Sequence, residues 1–186
     1  MEQSNREVIL TALANAISEQ LKSTGKCDII FICTHNSRRS HFGQVWAQYA
    51  AESHGIKGVK TFSGGTEATA FHPNAIAALQ EDGWQITGES NQKNPVYTVS
   101  SAEPKIEMTC FSKVYSDEAN PQKGFIAVMT CTDADEGCPV VLGAAKRFSL
   151  PYEDPKIADG TSNQSLIYLQ RSRQIKDEMM KVFSNL

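Results

Sequence analysis

Cys33 closes the apolar run Ile29-Ile30-Phe31-Ile32, and Arg39 follows with five residues between. Thr34, His35, Asn36, Ser37 and Arg38 fill the gap, and Ser40 comes next. Phe42, Val45, Trp46, Tyr49 and Ala50 then recur at helical spacing. A loop that leaves a strand and enters a helix turns backbone N–H groups toward one point, and the helix dipole adds partial positive charge there. Residues 33–40 therefore suit a tetrahedral oxyanion. Arg39 adds a planar fork able to hold two of its oxygens. The same field favours thiolate over thiol, so Cys33 is expected to attack the central atom of the bound anion. Asn36 tolerates left-handed backbone and is expected to hold the loop's shape. The Ser40 hydroxyl is expected to donate to the Cys33 sulfur. Downstream, Asp154 before Pro155 offers a carboxyl group for proton transfer.

Two further thiols, Cys131 and Cys138, stand seven positions apart in Cys131-Thr132-Asp133-Ala134-Asp135-Glu136-Gly137-Cys138-Pro139. On a helix they would share a face with Cα atoms about 10 Å apart. A disulfide needs less than about 7 Å. A bridge would require the segment to unwind, and Gly137 and Pro139 weaken any helix there. Zinc sites use short cysteine pairs or histidines at fixed spacing. None of His35, His41, His54 and His72 stands so beside these cysteines, and no metal is expected. On spacing alone, two ordinary buried cysteines remain the alternative.

The elements that must position these groups read as alternating strands and helices. Strands are expected at 28–32, 58–62 and 125–130, the last running into Cys131, with a turn at Ser63-Gly64-Gly65. Helices are expected at 40–54, capped near Gly55, at 73–83, opened by Pro73, and at 164–183. In the last, Leu166, Ile167, Leu169, Ile175, Met179 and Val182 are expected to face the core. The fold class is α/β, three layers with a central, mostly parallel sheet of about four strands flanked by helices. In such sheets ligands sit beyond the carboxyl ends of the strands, so Cys33 and Cys131 should reach one rim. Residues 5–23 read as an added amphipathic helix. Residues 84–124 read as an inserted hairpin or flap. The whole chain, 1–186, reads as one domain.

The 186 residues are 40% hydrophobic and 21% charged, with formal net charge −3. That suits a globular protein with no global attraction for nucleic acid or membrane. Any anion site must work through local dipoles and one arginine. The five cysteines, an odd count without a secreted framework, point to reduced thiols in the cytoplasm. No signal peptide is expected, because polar residues break up the N-terminal apolar run.

The loop Cys33–Ser40 resembles the signature loop of the low-molecular-weight protein tyrosine phosphatase superfamily. The Cys131–Pro139 segment, with Tyr152-Glu153-Asp154-Pro155, resembles the thioredoxin-coupled arsenate reductases on that fold. Phe62-Ser63-Gly64-Gly65-Thr66-Glu67 and His72-Pro73-Asn74-Ala75-Ile76 are similar to the family's second strand and helix. The resemblance implies a three-thiol relay: Cys33 attacks arsenate, Asp154 protonates a departing oxygen, and disulfides pass from Cys33–Cys131 to Cys131–Cys138. Thioredoxin is the implied reductant, with no bound cofactor. The chain departs from the pattern at Arg38, where many relatives carry a second loop cysteine, at His35, where glycine is expected, and at Gln44, where some reductases place a potassium-site glutamate. Two other readings compete. One is phosphomonoester hydrolysis through a Cys33 phosphocysteine, weakened by Lys156-Ile157 in place of an aromatic pair. The other is a non-catalytic thiol sensor.

Overall fold

The structure is a computed structural model that describes residues 2–88, 92–138 and 140–186. Pro139, named above as a helix breaker, lies outside the described residues, as do 89–91 of the insertion. Four parallel strands form the main sheet in the order β2-β1-β6-β7: β1 (Cys27–Cys33), β2 (Val59–Gly65), β6 (Phe125–Met129) and β7 (Ala144–Ser149). Between β2 and β6 the chain makes a separate antiparallel sheet of β3 (Gln85–Gly88), β4 (Tyr97–Ser101) and β5 (Ile106–Cys110). Helices α1 (Glu2–Thr24), α2 (Arg39–Ser53), α3 (Pro73–Glu81), α4 (Thr132–Gly137) and α5 (Gln164–Ser184) complete the fold.

Strand alternation divides the interior. Ile29 and Phe31 of β1, with Ile126 and Val128 of β6, face a large core built with Leu13 and Ile17 of α1, Phe42 and Trp46 of α2, Leu79 of α3, and Ile175 and Met179 of α5. Ile30 and Ile32, with Phe125, Ala127 and Met129, face a smaller core that also holds Cys33, Cys131, Ala134 and Val141. Val99, Ile106 and Cys110 of the small sheet join the large core, and burial pushes the Cys110 thiol up to about 12.

The expected insertion is present as a three-stranded antiparallel sheet, and residues after Cys110 return to the main sheet through a bridge between Gly65 and Val114. Two local expectations are corrected. Ser63, Gly64 and Gly65 do not turn; they continue β2, paired with Phe31, Ile32 and Cys33. Leu166 faces solvent at 52% exposure, and Tyr168 takes the buried place in that turn of α5. Gly65 is in the strand because of what approaches it. A Cβ there would lie 2.6 Å from the Thr34 carbonyl oxygen and 2.8 Å from the Asn36 nitrogen.

His41, in the first turn of α2, is fully buried. Its ring stacks on Phe71 with centroids 3.9 Å apart, and its Nδ1 lies 3.2 Å from Ser63 Oγ. Burial first, then the nearby Lys113 ammonium, holds its protonation well below the ordinary histidine range. The unfolded chain takes up this proton near pH 6.5 and the folded chain does not. Stability is therefore complete above about pH 6.5 and falls as the pH drops below it. The half-buried His72, lowered by burial and then by Arg38, acts with the same sign. The melting temperature should decline between pH 7 and pH 5.5, and His41→Gln should flatten that slope. An unchanged slope in the variant would exclude His41 as its source.

Candidate active site

β1 delivers Cys33 to the carboxyl edge of the sheet, and α2 begins at Arg39. Between them nearly every loop carbonyl is turned outward and held. The Cys33 carbonyl accepts from Thr66 N (3.2 Å), and that of Thr34 from Glu67 N (2.9 Å). The His35 carbonyl accepts from Ser112 Oγ (2.9 Å) and that of Ser37 from His72 N (3.0 Å). In a trans peptide the next N–H points opposite to the carbonyl. The loop's N–H groups therefore converge on its concave side, as an oxyanion nest requires.

Asn36 sits at φ 45°, the left-handed region, as its type suggests. Its Oδ1 accepts from Lys113 N (2.9 Å), which fixes the amide orientation, and its Nδ2 donates to Ser40 Oγ (2.8 Å). Ser40 Oγ lies 3.1 Å from Cys33 Sγ. The Ser40 hydroxyl therefore bridges the Asn36 amide and the Cys33 sulfur.

Arg39 is nearly buried. Its Nη1 donates to the Tyr152 carbonyl (2.9 Å) and its Nη2 to Asp154 Oδ2 (2.6 Å). Its Nε is buried with no partner among the described residues. Asp154 caps the 3-10 turn Pro155–Ala158, with Oδ1 accepting from Lys156 N (3.0 Å). The structure thus brings Arg39 and Asp154 together. Arg38 turns away: its Nε donates to Tyr168 Oη (2.7 Å) and its Nη2 meets Asp159 Oδ2 (3.4 Å). The His35 side chain pairs with Glu67 (2.8 Å), and the Ser37 hydroxyl donates to the Ala70 carbonyl (2.7 Å). Those three residues offer the loop's interior their backbone only.

Cys131 is buried and caps α4, its Sγ accepting from Ala134 N (3.4 Å) and lying 3.5 Å from Thr34 Oγ1. Cys138, half-buried, ends the same helix, and its N–H donates to the Ala134 carbonyl (3.0 Å). The short helix forms despite Gly137 because β7 grips it. Arg147 Nη2 donates to the carbonyls of Asp135 (2.7 Å) and Cys138 (3.2 Å), and Ser149 Oγ donates to Asp135 Oδ2 (2.6 Å). Tyr115, brought back by the insertion, reaches Cys138. Burial first, then the charge and hydrogen bonding of Cys138, raises the phenol. Sequence reasoning quoted Tyr152 in the motif Tyr152–Pro155 without giving it a role, and did not single out Lys113, Arg147, Ser149 or Tyr115. Only Tyr152 carried a signal, its place two residues before Asp154.

The sequence profile described as low molecular weight phosphotyrosine protein phosphatase matches residues 28–102. An arsenate reductase of Bacillus subtilis (strain 168) is 31% identical over 157 residues, covering 84% of this chain and 94% of that protein. The chain belongs to the low molecular weight phosphotyrosine phosphatase family. An arsenate reductase of Oceanobacillus iheyensis is 28% identical over 158 residues, with 84% and 94% covered. Among solved structures, the low molecular weight protein tyrosine phosphatase from T. tengcongensis superposes with TM-score 0.58 at 14% identity, covering 87% of this chain and 100% of that one. A YwlE mutant from Bacillus subtilis gives TM-score 0.58 at 20% identity, with 86% and 97% covered. These two establish the fold, including the four-stranded parallel sheet.

Asn36→Ala should remove both amide bonds, orphan the Lys113 N–H and place alanine in left-handed backbone. Each buried unpaired group costs about 1–3 kcal/mol, and left-handed backbone adds about 1–2 kcal/mol. Chemical denaturation should show a loss in that range, and iodoacetamide should modify Cys33 more slowly. A variant as stable and as reactive as the parent would refute the amide bridge.

Proposed function

We propose that this chain reduces arsenate to arsenite through three thiols. The observation that carries the reading is the shared small core of Cys33, Cys131 and Cys138, with Thr34 Oγ1 bridging toward Cys131 Sγ at 3.5 Å. The arsenate reductases among its relatives support it.

The backbone nest and Arg39 bind the oxyanion. The Cys33 thiolate attacks arsenic, an As–S bond forms, and one oxygen leaves as water with a proton from Asp154. The Cys131 thiolate then attacks the Cys33 sulfur. The Cys33–Cys131 disulfide forms, the As–S bond breaks, and its electron pair reduces As(V) to As(III), released as arsenite. The Cys138 thiolate attacks the Cys131 sulfur and frees Cys33. Helical spacing across α4 keeps Cys131 and Cys138 about 10 Å apart, so this step requires α4 to unwind and Arg147 to let go. A dithiol protein of the thioredoxin class returns two electrons to the exposed bridge. Val140 and Leu142, exposed beside Cys138, offer it apolar contact. Such a cycle runs in a reducing compartment such as the cytoplasm.

Phosphomonoester hydrolysis is the second reading, favoured by the family profile over the loop itself. It uses Cys33, Arg39 and Asp154 and leaves Cys131 and Cys138 idle.

Arsenate-dependent NADPH oxidation, with thioredoxin and thioredoxin reductase supplied, should be sustained in the unaltered chain. In Cys138→Ser it should stop after a single turnover. Cys33→Ser should abolish it. Absence of turnover in a folded sample, or full turnover in Cys138→Ser, would overturn the relay. Hydrolysis of p-nitrophenyl phosphate that persists in Cys138→Ser without arsenate turnover would favour the second reading.

A further inference from the structure

Helix α1 lies ahead of the segment matched by the family profile, which starts at residue 28. It reaches the site all the same. Arg6 donates from Nε to Glu178 Oε1 (2.6 Å) and from Nη2 to Glu178 Oε2 (2.9 Å), a two-pronged pair with α5. Its Nη1 donates to the Pro151 carbonyl (3.0 Å). Its guanidinium lies 4.6 Å from the centre of the Tyr152 ring, and Tyr152 Oη donates to the same Glu178 carboxylate (2.6 Å). One arginine therefore touches the backbone of residue 151, the ring of residue 152 and the carboxylate that holds that ring.

The segment so gripped carries both acceptors of Arg39. These are the Tyr152 carbonyl and the Asp154 carboxylate. We propose that Arg6 is a positioning residue for Arg39: through Glu178, Pro151 and Tyr152 it fixes residues 151–154 and so sets the pose of the oxyanion-binding guanidinium.

The physical case is one of geometry. A two-pronged arginine–carboxylate pair is directional, and this one is sheltered, with side chains 27% and 15% exposed. Tyr152 is buried, so its ring and carbonyl move together rather than independently. Apart from Arg39 itself, segment 151–154 is held among the described residues by the backbone bond from Tyr152 N to the Thr130 carbonyl (3.0 Å) and by one other arginine pair, Arg171 on Glu153 (3.0 Å). Glu153 is 90% exposed there, and exposed pairs fix little. Misplacing a positioned group by about 1 Å costs on the order of a hundredfold in the step it serves. The pairing of Glu7 with Lys181 joins the same two helices without touching the 151–154 segment, and so supplies an internal control.

The inference rests on the reading of loop 33–40 and Arg39 as the oxyanion site, so the test reads oxyanion binding rather than turnover. Inorganic phosphate is titrated against the unaltered chain, Arg6→Ala and Glu7→Gln, with affinity measured as protection of Cys33 from iodoacetamide. Melting temperatures are recorded for all three, and titrations are run well below them. Arg6→Ala should bind phosphate about tenfold more weakly or worse, while Glu7→Gln binds as the unaltered chain does. Unchanged affinity in Arg6→Ala overturns the inference alone. An equal loss in Glu7→Gln also overturns it, because general loosening of α1 would then suffice. Absence of phosphate protection in the unaltered chain overturns the site reading and this inference with it.

Discussion

The Asn36 side chain is the hinge on which the site's geometry depends. One amide group is used on both sides: its oxygen takes the Lys113 N–H and its nitrogen supplies Ser40 Oγ. The first bond ties the loop to the returning end of the insertion. The second holds the Ser40 oxygen, which lies 3.1 Å from Cys33 Sγ. Residue 36 makes both bonds from left-handed backbone, at φ 45°, a conformation that a short polar side chain tolerates. With the carbonyls of residues 33, 34, 35 and 37 pinned outward, the remaining freedom of the N–H groups is small. The loop's order comes from these held carbonyls and from the Asn36 bridge.

The two cores give the sulfurs different mechanical settings. Cys33 ends a strand whose other face is locked into the large core with Phe42, Trp46 and Tyr168. Cys131 and Cys138 belong to the smaller core, where α4 contributes a single buried residue, Ala134. α4 is held instead by polar grips from Arg147 and Ser149. Few apolar contacts and solvent-reachable hydrogen bonds are the marks of a segment that opens without global unfolding. This partition of apolar burial sets Cys33 on a firmly packed strand and Cys131 and Cys138 on a lightly packed segment.

How much of this was legible in the sequence depended on whether the deciding contact was local. β1, α2, α3, β6 and α5 were read because their burial follows the strand or helix period over enough residues. The passage from β1 through loop 33–38 into α2 was read because strand, polar gap and helix are contiguous. Ser63-Gly64-Gly65 was misread because paired glycines signal turns. Here they admit Tyr115 and the Asn36 loop against β2, contacts made by distant residues. β7 was not located: as an edge strand with Lys146 and Arg147 exposed or half-buried, it lacks the apolar run of a central strand. Lys113 escaped notice, and Tyr152 was given no role, because their partners lie far off in sequence, 77 positions for Lys113 and Asn36 and 113 for Tyr152 and Arg39.

The adjacent arginines, similar on paper, are separated in function by their surroundings. Arg38 spends its guanidinium on Tyr168 and Asp159, and Asp159 in turn accepts from Tyr168 (2.7 Å). That network locks the start of α2 to α5 and leaves Arg38 little to offer an anion. Arg39 keeps a buried Nε with no partner among the described residues, and both of its bonded nitrogens rest on a single segment, 151–154. The orientation of this guanidinium is therefore tied to residues 151–154. That segment, between β7 and the 3-10 turn, is where α1, α5 and the carboxyl group of Asp154 converge.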